Sequence, residues 1–595
     1  MRLEHDQAGL LAPLAGESEA EGFRRDGGLG RHRVVRKPQT APTLALPRKR
    51  GRELACGVLL AWALAACGKP AEPAKPAAAA TATATATAYQ TREALVAFSN
   101  PEPGVPPQCY TRTEGQANPC WTCHTTRNGR NDKGDWELQE QYAFSPAAMD
   151  NHWRNVFTDR RPAIAAISDA EVLTYIRQDN YQPIYAAAQR GGNPPGYRPD
   201  LDYRQGFDAQ GWARDGSGWR AFRYKPLPGG FWPTNGASDD VLIRLPARFR
   251  QDAQGRESRA VYSANLAILE AAMTVADTVP EAELRRAIEP VSETLVGVDL
   301  DGDGKLATAR HVQGLPKRYA GAAANEPVRR WSYPQGTEFL HSLRYVDPDQ
   351  PNLLSPRLKE LRYSIKRLDL DDSALKGAYR EERDEKAAGL APRYRGNPEL
   401  GLMNAFGWSY QGWIEDAKGA LRLQTLEEHY HCMGCHGGLG ITADSSFGFP
   451  RKAPGERGWG WQTLEGLRDV PMAGHAEPEV LTWFQRAGGG DAFRSNDEVL
   501  ARFFPGGLLD RTAVLRAAPG GDRDLRWLIV PSRERALALN KAYWALVREQ
   551  DFIHGREPFL RPPEQVHRRI DNGDTGLRAE ERVYSDGRIW LDWGD

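Results

Sequence analysis

The chain has 595 residues, 78 basic and 78 acidic side chains, 40% apolar and 26% charged residues, which is enough hydrophobic material for several buried cores. The even charge balance argues against a nucleic-acid-binding protein, whose domain would usually carry a basic excess, and against a disordered polyelectrolyte. No apolar run reaches the roughly 18–20 residues that span a bilayer, which excludes a polytopic membrane protein.

Residues 1–66 read as a leader. Met1 to Pro47 is polar and rich in Arg and Gly, either an extension from a misassigned start or a segment of no structural consequence. Arg48, Lys49, Arg50 and Arg52 then precede an apolar run from Leu54 to Ala66, and a basic flank before such a run describes an export signal. The run ends Leu64-Ala65-Ala66-Cys67, which resembles the lipobox of bacterial lipoproteins. That resemblance implies a lipid on Cys67 and a membrane anchor in the periplasm or at the cell surface. Gly68 in place of Asp favours the outer membrane over the inner. Without residues 1–66 the chain carries 67 basic and 71 acidic residues. Residues 67–90, rich in Ala, Pro and Thr, have little to bury and read as a flexible tether. Three regions follow: 91–250, 251–400 and 401–595.

The remaining cysteines are the most informative feature. Cys120-Trp-Thr-Cys123-His124 and Cys432-Met-Gly-Cys435-His436 are both C-x-x-C-H. This spacing sets two thiols on one turn, where they can add to the vinyl groups of a haem while the histidine reaches the iron. One competing reading joins the two C-x-x-C pairs in a four-thiolate zinc site. The separation of more than 300 residues and the trailing histidines weigh against it. Another makes a disulfide of each pair, which leaves the histidines without a role. Asn118-Pro119 before Cys120 predicts a helical start, and Thr425-Leu-Glu-Glu428 predicts a capping box on the helix into Cys432. With these features the chain resembles a diheme c-type cytochrome of the exported lipoprotein kind. The resemblance implies thioether bonds at Cys120, Cys123, Cys432 and Cys435, with His124 and His436 as iron ligands of two covalent haems. Cys109 is left over and reads as buried and inert, or as an intermolecular link.

For the sixth iron positions, His341 is the first expectation, in Gly336-Thr-Glu-Phe-Leu-His341-Ser-Leu-Arg-Tyr345, where Phe339, Leu340 and Leu343 suggest a helix. His152 and Met472 are the others. In the middle region, Asp299-Leu-Asp301-Gly-Asp303-Gly304 is the front half of an EF-hand-type loop and points to calcium. Arg310 stands where the closing Glu belongs. Ala264–Ala276 and Arg535–Gln550 have helical apolar spacing. The expected fold is mainly α, a multi-segment cytochrome c-like arrangement with long loops and minor β. The expected function is single-electron transfer between redox partner proteins of the envelope. The alternative is a diheme peroxidase or oxygenase with one open haem.

Overall fold

The computed structural model describes residues 98–594 apart from 114–116, 136–138, 140–143, 192–195, 231, 389, 391–393, 489–495 and 572–582. Cys67, with the leader 1–66 and the tether 67–90, lies outside the described residues. Those that are described belong to one unit.

The centre of this unit is a sheet. Its strands are β1 (Arg220–Ala221), β2 (Ser238–Arg244), β5 (Glu338–Val346), β6 (Leu354–Lys366), β7 (Arg395–Asn397), β8 (Gly401–Met403), β9 (Trp408–Glu415) and β10 (Leu421–Leu423). They run in the order β1-β2-β5-β6-β9-β8-β7, with β10 also on β9, and every pairing is antiparallel. Strands β3 (Arg285–Ser292) and β4 (Thr308–Gln313) form a separate hairpin. Each of the three expected regions contributes a strand to the one large sheet.

This overturns the expectation of a mainly α, cytochrome c-like fold. The reason lies in burial. Every residue of β9 is buried and all but the last of β2, polar ones included, so these strands lack the exposed polar face that marks a half-exposed strand. The alternation is hidden inside two cores. Val241, Phe339, Trp408 and Tyr410 join one core with helix α1 (Arg259–Thr274). Their strand neighbours Leu242, Leu340, Leu361 and Trp413 join another on the opposite face. His341 lies on β5, not on a helix.

The expected helical stretches do form. Ser258 caps α1, accepting from the Val261 amide, and Ser532 caps α4 (Arg533–Glu549), accepting from the Arg535 amide. Between them in sequence come α2 (Leu426–Cys435) and α3 (Glu479–Ala487). Thr425 and Glu428 close a full capping box on α2, satisfying two of the helix's first amides locally. That helix therefore starts where its sequence says and delivers Cys432 and Cys435 at its last turn.

Candidate functional site

The first C-x-x-C-H segment is a short 3-10 turn, Pro119–Thr122. The His124 amide donates to the Cys120 carbonyl at 2.8 Å, which fixes the histidine beside the two thiols. Its ring Nδ1 is 3.0 Å from Asp135 Oδ2. Asp135 is buried, and its carboxylate also accepts from the amides of Thr125 and Gly440, both at 2.8 Å. With Nδ1–H given to a carboxylate, Nε2 is the nitrogen positioned as a ligand, and such a partner fixes the ring's tautomer and orientation.

The second segment ends α2. The His436 amide donates to the Cys432 carbonyl at 3.0 Å, the same local geometry as in the first. Here Nδ1–H donates to the Ser445 carbonyl at 3.0 Å. Burial pushes this imidazole down to about 4, partly opposed by the Ser445 bond, so it is neutral. The turn that offers Ser445 is strained, because Asp444 and Ser445 both have left-handed backbone, φ 51° and 56°, an unfavourable region for residues other than glycine. A buried ion pair holds it: Lys366 Nζ lies 2.6 Å from Asp444, which also accepts from the Tyr333 amide.

The two segments, far apart in sequence, interlock. Asn128 donates to the Gly440 carbonyl at 2.9 Å, Asn131 to Thr442 at 3.1 Å, and the Ile441 amide to the Cys123 carbonyl at 3.3 Å. Asp135 spans the junction, touching His124 on one side and Gly440 on the other.

Both motifs line a single cavity of about 490 Å³. All four motif cysteines, both motif histidines and the half-buried Cys109 are on its wall. The same wall takes in residues of the sheet: Asp239 and Val241 of β2, Phe339 and His341 of β5, and Arg362, Tyr363 and Ser364 of β6. Trp408 and Tyr410 of β9 continue the row, and the Tyr410 ring lies 4.8 Å from that of His436. Burial pushes the Cys120 thiol up to about 12 and Cys435 up to about 11, and raises Cys123 and Cys432 as well.

Of the sixth-ligand candidates, only His341 is on this wall. Its Nε2 lies 3.1 Å from Asp239 Oδ2, and the Tyr224 hydroxyl donates to the same oxygen. His152 Nε2 is 2.9 Å from the Ala147 carbonyl, and Met472 is buried in a core with Val480 and Trp483. Neither lines the cavity.

Among the described residues, one group of three metal-capable side chains converges within 4.8 Å, and it is Glu293, Asp299 and Asp301. The motif cysteines form no such cluster, so the four-thiolate zinc reading lacks its geometry. In the acidic loop Asp303 stays apart and accepts from the Lys305 amide at 2.7 Å. Glu293, buried, takes the third place and accepts from Leu300 at 2.6 Å and Ala307 at 3.0 Å. Sequence reasoning missed Asp135, Asp239, Glu293 and Arg362, which act across the fold. The adjacent acids Asp239 and Asp240 in an apolar strand were the one available signal.

A protein-family model described as "-like lipoprotein" matches residues 94–504. A curated protein of Aquifex aeolicus (strain VF5) named "Uncharacterized lipoprotein" is 33% identical over 520 residues, covering 77% of this chain and 86% of the relative. No solved structure matches. The family assignment to diheme c-type cytochromes is thereby corrected: the family found is a lipoprotein family, and the architecture is a sheet. A lipoprotein is a membrane-anchored envelope protein, and among the described residues no helix is long and apolar enough to cross a membrane. By the extent of both matches, the chain belongs to this lipoprotein family.

Proposed function

We propose that each C-x-x-C-H segment carries a covalently attached haem and that the protein passes single electrons between redox partner proteins of the cell envelope. The observation that carries this reading is the shared wall: both motifs meet one cavity, and each histidine has Nδ1 engaged by an acceptor, Asp135 or the Ser445 carbonyl. That is the donor set iron asks for, an imidazole oriented from behind. A haem would supply a reversible one-electron couple. The chain's part is to hold it: Cys120 and Cys123, or Cys432 and Cys435, fix its edge, His124 and His436 present Nε2, and Trp408, Tyr410 and Phe339 exclude water. A lipid on Cys67 would keep this unit at the membrane, with the outer membrane the preferred site.

The test is production in a host with the covalent haem-attachment machinery, followed by denaturing electrophoresis with haem staining and a mass measurement. Two haems per chain are expected to survive denaturation, and replacing Cys432 and Cys435 by alanine is expected to leave one. A chain that holds no haem after denaturation would end this reading.

A calcium ion at the Asp299 loop is the second cofactor proposed, as a stabiliser without a part in electron transfer. Its support is the convergence of Glu293, Asp299 and Asp301 and the left-handed glycines Gly302 and Gly304, φ 72° and 79°, that let the loop turn sharply. An ion bound only by the folded chain at 100 times its dissociation constant adds about 2.7 kcal/mol. A chelator is therefore expected to lower the melting temperature of the wild type and not that of Asp301→Ala. Equal melting with calcium and with chelator would reduce the loop to a turn.

A further inference from the structure

We propose that the sheet face on the wall of this cavity is a hydroperoxide-reducing site built on His341 and Arg362. This rests on the covalent-haem reading above and adds to it a substrate class.

The two residues are directly opposed in the register of β5 and β6, which puts their Cβ atoms about 4.5–5.5 Å apart. Both side chains line the same cavity as the C-x-x-C-H segments. A wall that only shields an electron carrier has no use for an oriented imidazole beside a guanidinium. Here each is held in place from behind. Asp239 lies 3.1 Å from His341 Nε2 and is itself fixed by the Tyr224 hydroxyl, the base–orienter arrangement of acid–base sites. Arg362 Nε donates to Glu360 at 2.9 Å, and Arg556 donates to the same oxygen at 3.2 Å. Two guanidiniums thus share one buried carboxylate.

An imidazole able to move a proton and a cation able to meet developing negative charge suit the cleavage of a peroxide bond. Reduction of a hydroperoxide breaks its O–O bond and consumes two electrons and two protons, giving an alcohol and water, or two waters from hydrogen peroxide. His341 takes the proton from one oxygen and returns it to the departing one. Arg362 balances the charge that grows on the departing oxygen. The proton that His341 moves is the substrate's own, so both protons consumed come from water, and the electrons arrive singly from the one-electron donor proteins of the proposed function. The aromatic wall of Phe339, Trp408 and Tyr410 suits a small substrate.

The experiment uses the full haem-loaded protein. Its reduced form is mixed with hydrogen peroxide and reoxidation is followed by absorbance. The oxidised form is titrated with cyanide, which binds as its acid gives up a proton. Wild type is expected to be reoxidised rapidly and to bind cyanide. His341→Gln and Arg362→Gln are each expected to slow reoxidation about 100-fold, the scale of a lost acid–base or charge-stabilising group. Arg362→Lys should recover part of the rate, and Asp239→Asn should weaken cyanide binding with haem content and melting temperature retained. Haem-loaded wild type that neither reacts with peroxide nor binds cyanide overturns the site and leaves the haem reading standing. Variants with wild-type rates overturn it also. If Arg362→Gln changes only the midpoint potential, Arg362 serves the carboxylates of the haem and the proposal fails. A protein without covalent haem overturns the underlying reading and this site with it.

Discussion

Replacing Glu479 by alanine is expected to destabilise the protein by about 3–5 kcal/mol, the range for breaking a buried ion pair by removing one partner. Glu479 is at the start of α3 and buried. Arg451 donates to it from both terminal nitrogens, at 2.8 and 2.6 Å, and Lys225 donates as well. Asp469, 3.1 Å from Lys225, is the remaining acid. With Glu479 gone, two buried cations face one carboxylate. Burial alone would raise the Glu479 pKa, but Arg451 and Lys225 outweigh it and hold the group below its usual value. The sign follows: its contribution is present above about pH 4.5, the ordinary glutamate value, and is lost as acid is added through the lower folded value. A denaturation midpoint measured at neutral pH and again in acid should show the gap between wild type and Glu479→Ala narrowing. A midpoint unchanged at neutral pH would mean that the cluster relaxes without cost.

Asp135→Ala has the second large effect, because one carboxylate has three partners. Its loss strands the buried amides of Thr125 and Gly440 and the Nδ1–H of His124, each orphaned donor costing about 1–3 kcal/mol. The expected sum is several kcal/mol, read as a lower denaturation midpoint. The conservative Asp135→Asn separates stability from tuning. A carboxylate makes its imidazole a stronger ligand than a carbonyl does, so of two haems the one at His124 should have the lower midpoint potential. Asp135→Asn should raise that potential and leave the other, whose histidine answers to Ser445, nearly in place. Equal shifts at both, or none, would contradict the assignment.

What could be read from the sequence was whatever is local. The C-x-x-C-H spacing, the Thr425–Glu428 capping box and the helical stretch ending in Gln550 each depend on residues a few positions apart, and each is present. The sheet was not legible, since β2 and β9 are buried on both faces. Strand β5 added a second disguise. Phe339 packs into one core and Leu340 into the other, so both faces of the strand are apolar, and together with Leu343 they fall at a helix-like spacing. In the acidic loop the expectation looked downstream to position 310 for a closing carboxylate, whereas Glu293 comes from upstream, out of the end of β3. Asp135, Asp239 and Arg362 have meaning only through residues brought from elsewhere in the chain, and no spacing rule reports that.

The interlock of the two motif segments also sets an order of events in time. A chain made from its N-terminus presents Cys120 and Cys123 early, yet the residues that close over them, 439–442, come some 300 positions later. Contacts so distant in sequence form slowly. The first motif therefore spends a long interval as open polypeptide, accessible to any machinery that must modify its thiols, while the second is finished within moments of its partners. On the proposed covalent-haem reading, loading of the first site would belong to that interval, and a variant that joined these segments early would lose the opportunity to be loaded at all.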